Sequence, residues 1–300
     1  VDLDPTRLRM LLELQQRGTV TRVAEVMAYS HSTVSQQLKT LERDTGFRLL
    51  ERAGRNVRLT PQGQVLADYA ARILALSDEA ESAMASSTSV VSGTLRAAGF
   101  QTVLATIVPD ALDLLRERHP DFRVELTQHD VEEASKGLAS RRYDLIVGED
   151  YPGIPQIPTE GFHVEPLWDE AMFLLRPLRG RYAELPRGID ALREAPLALD
   201  PEANVMGRWG RDLCRNAGFE PVVRYVTPDP LLQIHLVRSG HAMALSPELI
   251  AGDEPEGVDV VELGDSSRRT LWTAVRTGAE THPAILAFRE ALAEQRPSER

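Results

Sequence analysis

The chain is poor in several features that would widen the choice of function. It holds one cysteine in 300 residues, Cys214, which excludes an internal disulfide and a cysteine-based zinc site. No stretch approaches the roughly 18 apolar residues of a membrane span. Residues 1–10 carry Asp2, Asp4, Arg7 and Arg9 and lack the apolar core of a signal peptide, so a cytoplasmic location is expected. The seven histidines show no His-x-His or HExxH spacing. GxSxG, SxxK and GxxxxGKS patterns are absent. No metal, cofactor or enzymatic activity is therefore expected. Lysine is almost missing, with Lys39 and Lys136 among 34 basic residues, which reads as a composition bias. Cys214 lines up with Trp209, Leu213 and Ala217 and reads as a buried structural thiol.

What is present is an uneven charge. The net charge of −11 argues against nucleic acid as a partner, but it is not evenly spread. Residues 1–63 hold ten basic side chains (Arg7, Arg9, Arg17, Arg22, Lys39, Arg43, Arg48, Arg52, Arg55 and Arg58) against seven acids, a balance of +3 that leaves −14 elsewhere. Such asymmetry points to a basic module joined to an acidic body.

Local signals divide the chain. Asp4-Pro5 suits the start of a helix that Gly18 ends. Thr21 is expected to cap a second short helix and Ser30 a third, on which Val34, Leu38 and Leu41 share one face. Two short helices across a tight turn form a helix-turn-helix. Arg48–Arg52 and Val57–Leu59, around a turn at residues 53–56, read as a two-stranded wing. Thr60-Pro61 opens a long helix reaching about Ala85, with Leu66, Tyr69, Ile73, Leu76, Ala80 and Ala83 at heptad-like spacing. That seam predicts a dimerisation helix. The small polar residues 86–93 read as a hinge. Beyond it, strand-like and helix-like runs alternate (helices expected at 108–119, 132–142, 206–217, 231–239 and 283–295), which argues for parallel βαβ units.

Residues 19–63 carry, in order, VSQQLKTLE, TGF, LLER and RLTPQG. This string resembles the winged helix-turn-helix of the LysR-type transcriptional regulators. The resemblance continues through RHPDFRVELT, YDLIVG, PLWDEAMFLLRP, HLVRSGHAMALSP and RTLWTAVRTG. Departures are Val23-Ala24 for paired alanines, Thr45-Gly46 for Leu-Gly, Leu49-Leu50 for Leu-Phe, and Gln36 where many members carry Arg. The resemblance implies an α/β protein with an N-terminal winged helix-turn-helix, a long linker (dimerisation) helix and a C-terminal two-lobed effector domain like periplasmic binding proteins. The expected divisions are 1–60, 61–88, a hinge at 89–94, and 95–300, with lobe I at 95–162 and 269–300 and lobe II at 163–268. The expected crossings between lobes are Phe162–Leu174 and Arg269–Arg276. The implied partners are an interrupted palindromic DNA operator, a small-molecule effector, further copies of the chain as homodimer or homotetramer, and RNA polymerase, with no membrane. A constitutive architectural or replication-origin DNA binder is the alternative.

Groove reading needs short polar side chains at the start of a helix. His31, Ser32, Thr33, Ser35, Gln36 and Lys39 meet that need. Gln36 suits adenine and Thr33 a thymine methyl, while Ser35 and Lys39 suit phosphates. Thr21, at a helix start, also suits phosphate. The resemblance places the wing's Arg55 in the minor groove. In open α/β sheets the ligand lies beyond the strand ends, which nominates Gly99, Phe100, Gln101, Thr102, His129, Glu149 and Asp150 from lobe I. Lobe II would add residues 201–206 (Glu202, Asn204, Val205 and Met206 among them), Thr227 and Asp229. Gln101-Thr102 suit the carboxylate effectors common in the family, but Glu149, Asp150, Glu202 and Asp229 favour a neutral or cationic ligand.

Overall fold

The computed structural model describes residues 2–53, 56–88, 90–154, 161–252, 255–264 and 266–296. The head contains α1 (Pro5–Arg17), α2 (Val20–Met27), α3 (His31–Thr45), β1 (Leu50–Ala53) and β2 (Asn56–Leu59), followed by α4 (Pro61–Ser86). Asp4 caps α1 by accepting from the Arg7 amide at 3.0 Å, and Gly18 ends it in the left-handed region. Helix α2 starts two residues earlier than expected. Thr19, not Thr21, caps it, through the Arg22 amide at 3.3 Å. Val20 is buried in the head's core, which draws it into the first turn and leaves Thr21 exposed inside the helix. Ser30 caps α3 as expected, and Val34, Leu38 and Leu41 face the core.

The wing is tied to α3 by a contact the sequence did not advertise. A single Glu42 carboxylate oxygen accepts from the amides of Leu49 (2.8 Å) and Leu50 (3.0 Å). β1 and β2 pair antiparallel from Leu50↔Leu59 to Ala53↔Asn56. The wing tip, Gly54 and Arg55, lies outside the described residues, and so does the minor-groove expectation for Arg55. Thr60 begins α4, accepting from the Gly63 amide and donating to the Arg48 carbonyl. Gly63 is required there: a Cβ would stand 2.1 Å from the Leu49 carbonyl oxygen.

Helix α4 shows two faces. Ala67, Ala70 and Leu74 are buried against its own chain, with Asp78 and Ser82 further along the same stripe. In the expected seam, Leu66 and Ile73 are half-buried against the head's core, whereas Tyr69 and Leu76 are 52% and 64% exposed.

The body begins with β3 (Gly93–Gly99), α5 (Gln101–Arg118), β4 (Phe122–Gln128), α6 (Val131–Ala139) and β5 (Leu145–Asp150). β3 lies between β4 and β5, parallel to both. Gly93 and Thr94 already pair with Phe122 and Arg123, so the expected hinge at 89–94 gives its last two residues to the sheet. Helix α5 starts at Gln101 rather than Val108. Pro109, close to the expected start, sits inside it. Helix α6 stops at Ala139, short of Arg142, and Arg141 takes a positive φ of 60°.

Next come β6 (Phe162–Pro177), β7 (Leu197–Leu199), α7 (Val205–Asn216), β8 (Val223–Val226), α8 (Pro230–Arg238), β9 (Met243–Pro247), α9 (Glu248–Ala251), β10 (Val258–Glu262), β11 (Arg268–Arg276) and α10 (Pro283–Ala293). β7 lies between β8 and β9, parallel to both. The two lobes join through β6 and β11, the two expected crossings. β6 pairs antiparallel with β11 from Phe162 to Ala171, then with β9 and β10 from Met172 onward. The strand thus changes sheet at Ala171/Met172, beyond the expected lobe boundary at 162/163.

The head rests on lobe I. Arg9 donates to the Ala139 carbonyl at 2.6 Å, and buried Asp78 pairs with Arg141 (2.5 Å) and Arg276 (3.3 Å). Ser82 donates to the Gly278 carbonyl. Gly278 has φ +95°, and a Cβ there would lie 2.1 Å from the Ala75 carbonyl oxygen. Among the described residues, no helix is long and apolar enough to cross a membrane, and no group of three His, Cys, Asp or Glu side chains could hold a metal ion.

Candidate DNA-reading helix and ligand cleft

The start of α3 presents a row of polar groups. His31, Ser32, Gln36 and Lys39 are exposed, and Thr33 and Ser35 are half-buried. The Ser30 hydroxyl stands 2.8 Å from those of Ser32 and Thr33, so these three orient one another. Gln37, next to Gln36, is held away from this row: its carbonyl oxygen accepts from Arg7, which also pairs with Asp44 at 2.6 Å. That clamp fixes α3 against α1 and leaves Gln36 unencumbered. Exposed Tyr29 and Phe47 flank the two ends of α3.

Between the lobes lies a cleft of about 470 Å³, within the usual range for small-molecule sites. Of the nominated residues, Phe100, Gln101, Thr102, His129, Glu149, Pro201, Ala203, Asn204, Val205 and Met206 line it. The others do not. Gly99 is the last residue of β3, and a Cβ there would meet Leu104 and Val147. Asp150 follows Glu149 on a strand, so alternation sends it to the other face. Glu202 is exposed beside Arg211. Thr227 shapes a turn, accepting from the Asp229 amide through its hydroxyl and from Gln233 through its carbonyl. Asp229 caps α8 and accepts from Gln101 at 3.1 Å, a bond that spans the lobes at the edge of the cleft.

Sequence reasoning missed the cleft's charged floor. Arg269, 2% exposed, pairs with Glu149 and Glu170, each at 2.6 Å, and lies 5.3 Å from the Phe100 ring centroid. Burial pulls the Arg269 pKa down, but the Glu170 charge, with Tyr151 and Glu149, overrides it and holds the group firmly charged. Burial pushes the Glu149 carboxyl up, against the opposing pull of Arg269. Tyr151 donates to Glu149 at 3.0 Å. Across the cleft, the Asp200 carboxylate accepts from the amides of Asn204 (3.3 Å) and Gln233 (3.0 Å) and has no ion-pair partner among the described residues, while its backbone carbonyl accepts from Arg211 at 3.3 Å. Burial raises its pKa, and its charge in turn raises that of Glu149. Arg269 is thus claimed by two carboxylates, while the Asp200 carboxylate has no ion-paired cation among the described residues and feels Arg269 and Arg211 only at longer range.

A winged helix-turn-helix head joined to two α/β lobes around a cleft defines a DNA-binding regulator with a ligand-binding body. Comparison with known proteins makes the class specific. Residues 5–64 match the bacterial regulatory helix-turn-helix protein family of lysR type, and residues 88–297 match the LysR substrate binding domain. The chain belongs to the LysR family of transcriptional regulators. It is 32% identical over 288 residues to a probable hydrogen peroxide-inducible genes activator of Streptomyces viridosporus, covering 90% of this chain and 88% of that one. A probable RuBisCO transcriptional regulator of Trichormus variabilis is 30% identical over 173 residues, 57% of this chain and 50% of that relative. Among solved structures, a full-length OxyR variant from Pseudomonas aeruginosa has a TM-score of 0.59 at 20% identity, covering 97% of this chain and all of that one. Full-length CbnR with its target DNA has a TM-score of 0.54 at 24% identity, covering 98% and 99%. These two likenesses concern the fold.

Proposed function

We propose that the protein binds duplex DNA as a homodimer or homotetramer and responds to a cationic small molecule held between Glu149 and Asp200. The DNA contacts we assign are Thr21, His31, Ser32, Thr33, Ser35, Gln36 and Lys39 from each head, with Arg55 at the wing. Two heads joined through Tyr69 and Leu76 of α4 would read half-sites about one helical turn, ~34 Å, apart. Work on DNA places the protein in the cytoplasm, with RNA polymerase as a further partner. We keep the four-part division of the chain, with the change of sheet at 171/172 as the lobe boundary.

The observation that carries the ligand class is the balance at the cleft floor. The buried cation of the cleft floor, Arg269, is already shared by Glu149 and Glu170. The Asp200 carboxylate faces the gap with two side-chain amides as its donors and no ion pair among the described residues. A protonated amine between Asp200 of one lobe and Glu149 of the other would satisfy both and draw the lobes together. A ligand of unequal affinity for two lobe arrangements shifts their populations, and with them the spacing of the heads.

The peroxide response named for the Streptomyces relative is not carried over. Cys214 is the only cysteine, is buried, and has a thiol pushed up to about 12 by burial, next to Glu220. The thiolate is the reactive form, and little of it exists there. Calorimetric titration of the full chain with 1,4-diaminobutane and with succinate tests the ligand class. The diamine should bind and succinate should not; tight succinate binding would overturn the cationic reading.

A further inference from the structure

A second cavity, of about 430 Å³, lies between the head and lobe I. Helices α1 and α4 form one wall, and α6 with residues 161–162 and 276–277 forms the other. Five basic side chains line it against three acids. The acids are all engaged. Glu13 pairs with Arg17 at 2.5 Å, Asp78 with Arg141 and Arg276, and Glu132 with Lys136 at 3.1 Å. Arg9 has no carboxylate within ion-pair distance among the described residues, although it is only 9% exposed. Its one described bond is the donation to the Ala139 carbonyl. A guanidinium carries five donors, and a buried charge is costly unless paired. The surroundings worsen its position. Burial, then repulsion by Arg141 and Arg276, pulls the Arg9 pKa down to about 10 against the weaker help of Asp78 and Glu13. The remaining wall is largely apolar, with Leu12, Leu74 and Phe162 prominent.

We propose that this cavity binds a small organic carboxylate, its anionic end on Arg9 and its apolar body along Leu12, Leu74 and Phe162. An inorganic oxyanion would answer the guanidinium but leave the apolar wall bare. The two walls belong to different domains, so the bound anion ties the DNA-reading head to lobe I. Glu132 and Arg208 line both this cavity and the cleft, so the two sites share a border.

Calorimetric titration of the full chain with hexanoate, phenylacetate, inorganic phosphate and 1,4-diaminobutane tests this. At least one of the two carboxylates should bind once per chain, and phosphate at least tenfold more weakly. Arg9→Gln should weaken the carboxylate tenfold or more. Leu12→Trp, which fills the space and keeps the charge, should do the same and carries the test alone if Arg9→Gln does not fold. Asp200→Asn should leave carboxylate binding within twofold. Absence of carboxylate binding to the unaltered chain, its survival in both head variants, its loss in Asp200→Asn, or phosphate binding of equal strength would each overturn the proposal. Failure of the diamine alone would overturn the reading of the cleft and leave this one standing.

Discussion

Asp200 shows how one side chain links stability to ligand binding. Burial raises its pKa above the unfolded value, so the folded state holds the proton more tightly than the unfolded chain does. Stability then falls as pH rises from the ordinary aspartate range through the raised value. Asp200→Asn removes that loss, so the unliganded variant should gain thermal stability at pH 7.5 relative to the parent and little at pH 3.5. It should also lose diamine affinity tenfold or more. Scanning calorimetry at the two pH values reads the first effect, and equal gains at both would count against it. On α3, Gln36→Ala should weaken binding to an operator by about 1–3 kcal/mol, the worth of a bidentate base contact. Sedimentation should show the oligomer unchanged. An equal loss on random DNA would mean that Gln36 touches phosphate instead. At this scale the sequence was legible where chemistry follows a pattern. The polar row of α3 was found because it opens a capped helix, and Glu149 because it ends a buried strand. Arg269 was missed because an arginine within a strand gives no sign that two distant carboxylates await it.

Helix α4 shows what an element's periodicity does and does not say. The heptad-like spacing located an apolar seam, but not which of its members already had neighbours. Leu66 and Ile73 lean on the head's own core, and charge there would disturb the head itself. Tyr69 and Leu76 are open, so the informative substitution is Leu76→Glu. It should convert dimers to monomers in sedimentation while leaving the far-ultraviolet dichroism and melting of the head intact. A Leu76→Glu protein that still sediments as a dimer would show the seam to be misassigned. The stripe of Ala67, Ala70 and Leu74 faces the same chain, so the helix has an inner face already spoken for and an outer face still free. Elsewhere the alternation of strands and helices was legible throughout the body because period 2 and period 3.6 differ plainly. The exceptions have local causes, such as Pro109 absorbed into α5 and Val20 pulled into α2 by burial.

The whole molecule depends on contacts that no local pattern foretells. Arg9 and Ala139, or Asp78 and Arg276, are far apart in the chain, and nothing in either neighbourhood announces the other. Asp78→Asn should remove the buried carboxylate shared by Arg141 and Arg276, leave them only the longer pairs with Glu81 (3.8 Å) and Asp144 (3.5 Å), and loosen the joint. Hydrogen exchange should then quicken in α1 and α6 while α7 and α8 stay protected. Unchanged exchange in α1 would mean that Arg9 and Gly278 hold the joint without Asp78. The uneven charge takes on meaning here too: the basic head meets the acidic body through arginines on both sides, with Asp78 and Glu13 as the neutralising groups between them.

β6 has a mechanical consequence. One unbroken strand is stitched into the sheet of lobe I by its first ten residues and into that of lobe II by the rest. Lobes sewn together this way cannot slide apart; they can only twist about the shared ribbon. Glu170, which grips Arg269, sits next to the change of sheet, where a twist displaces atoms least. A small molecule at the cleft floor acts close to that axis, so a turn of a few degrees there becomes a wide swing at the rim.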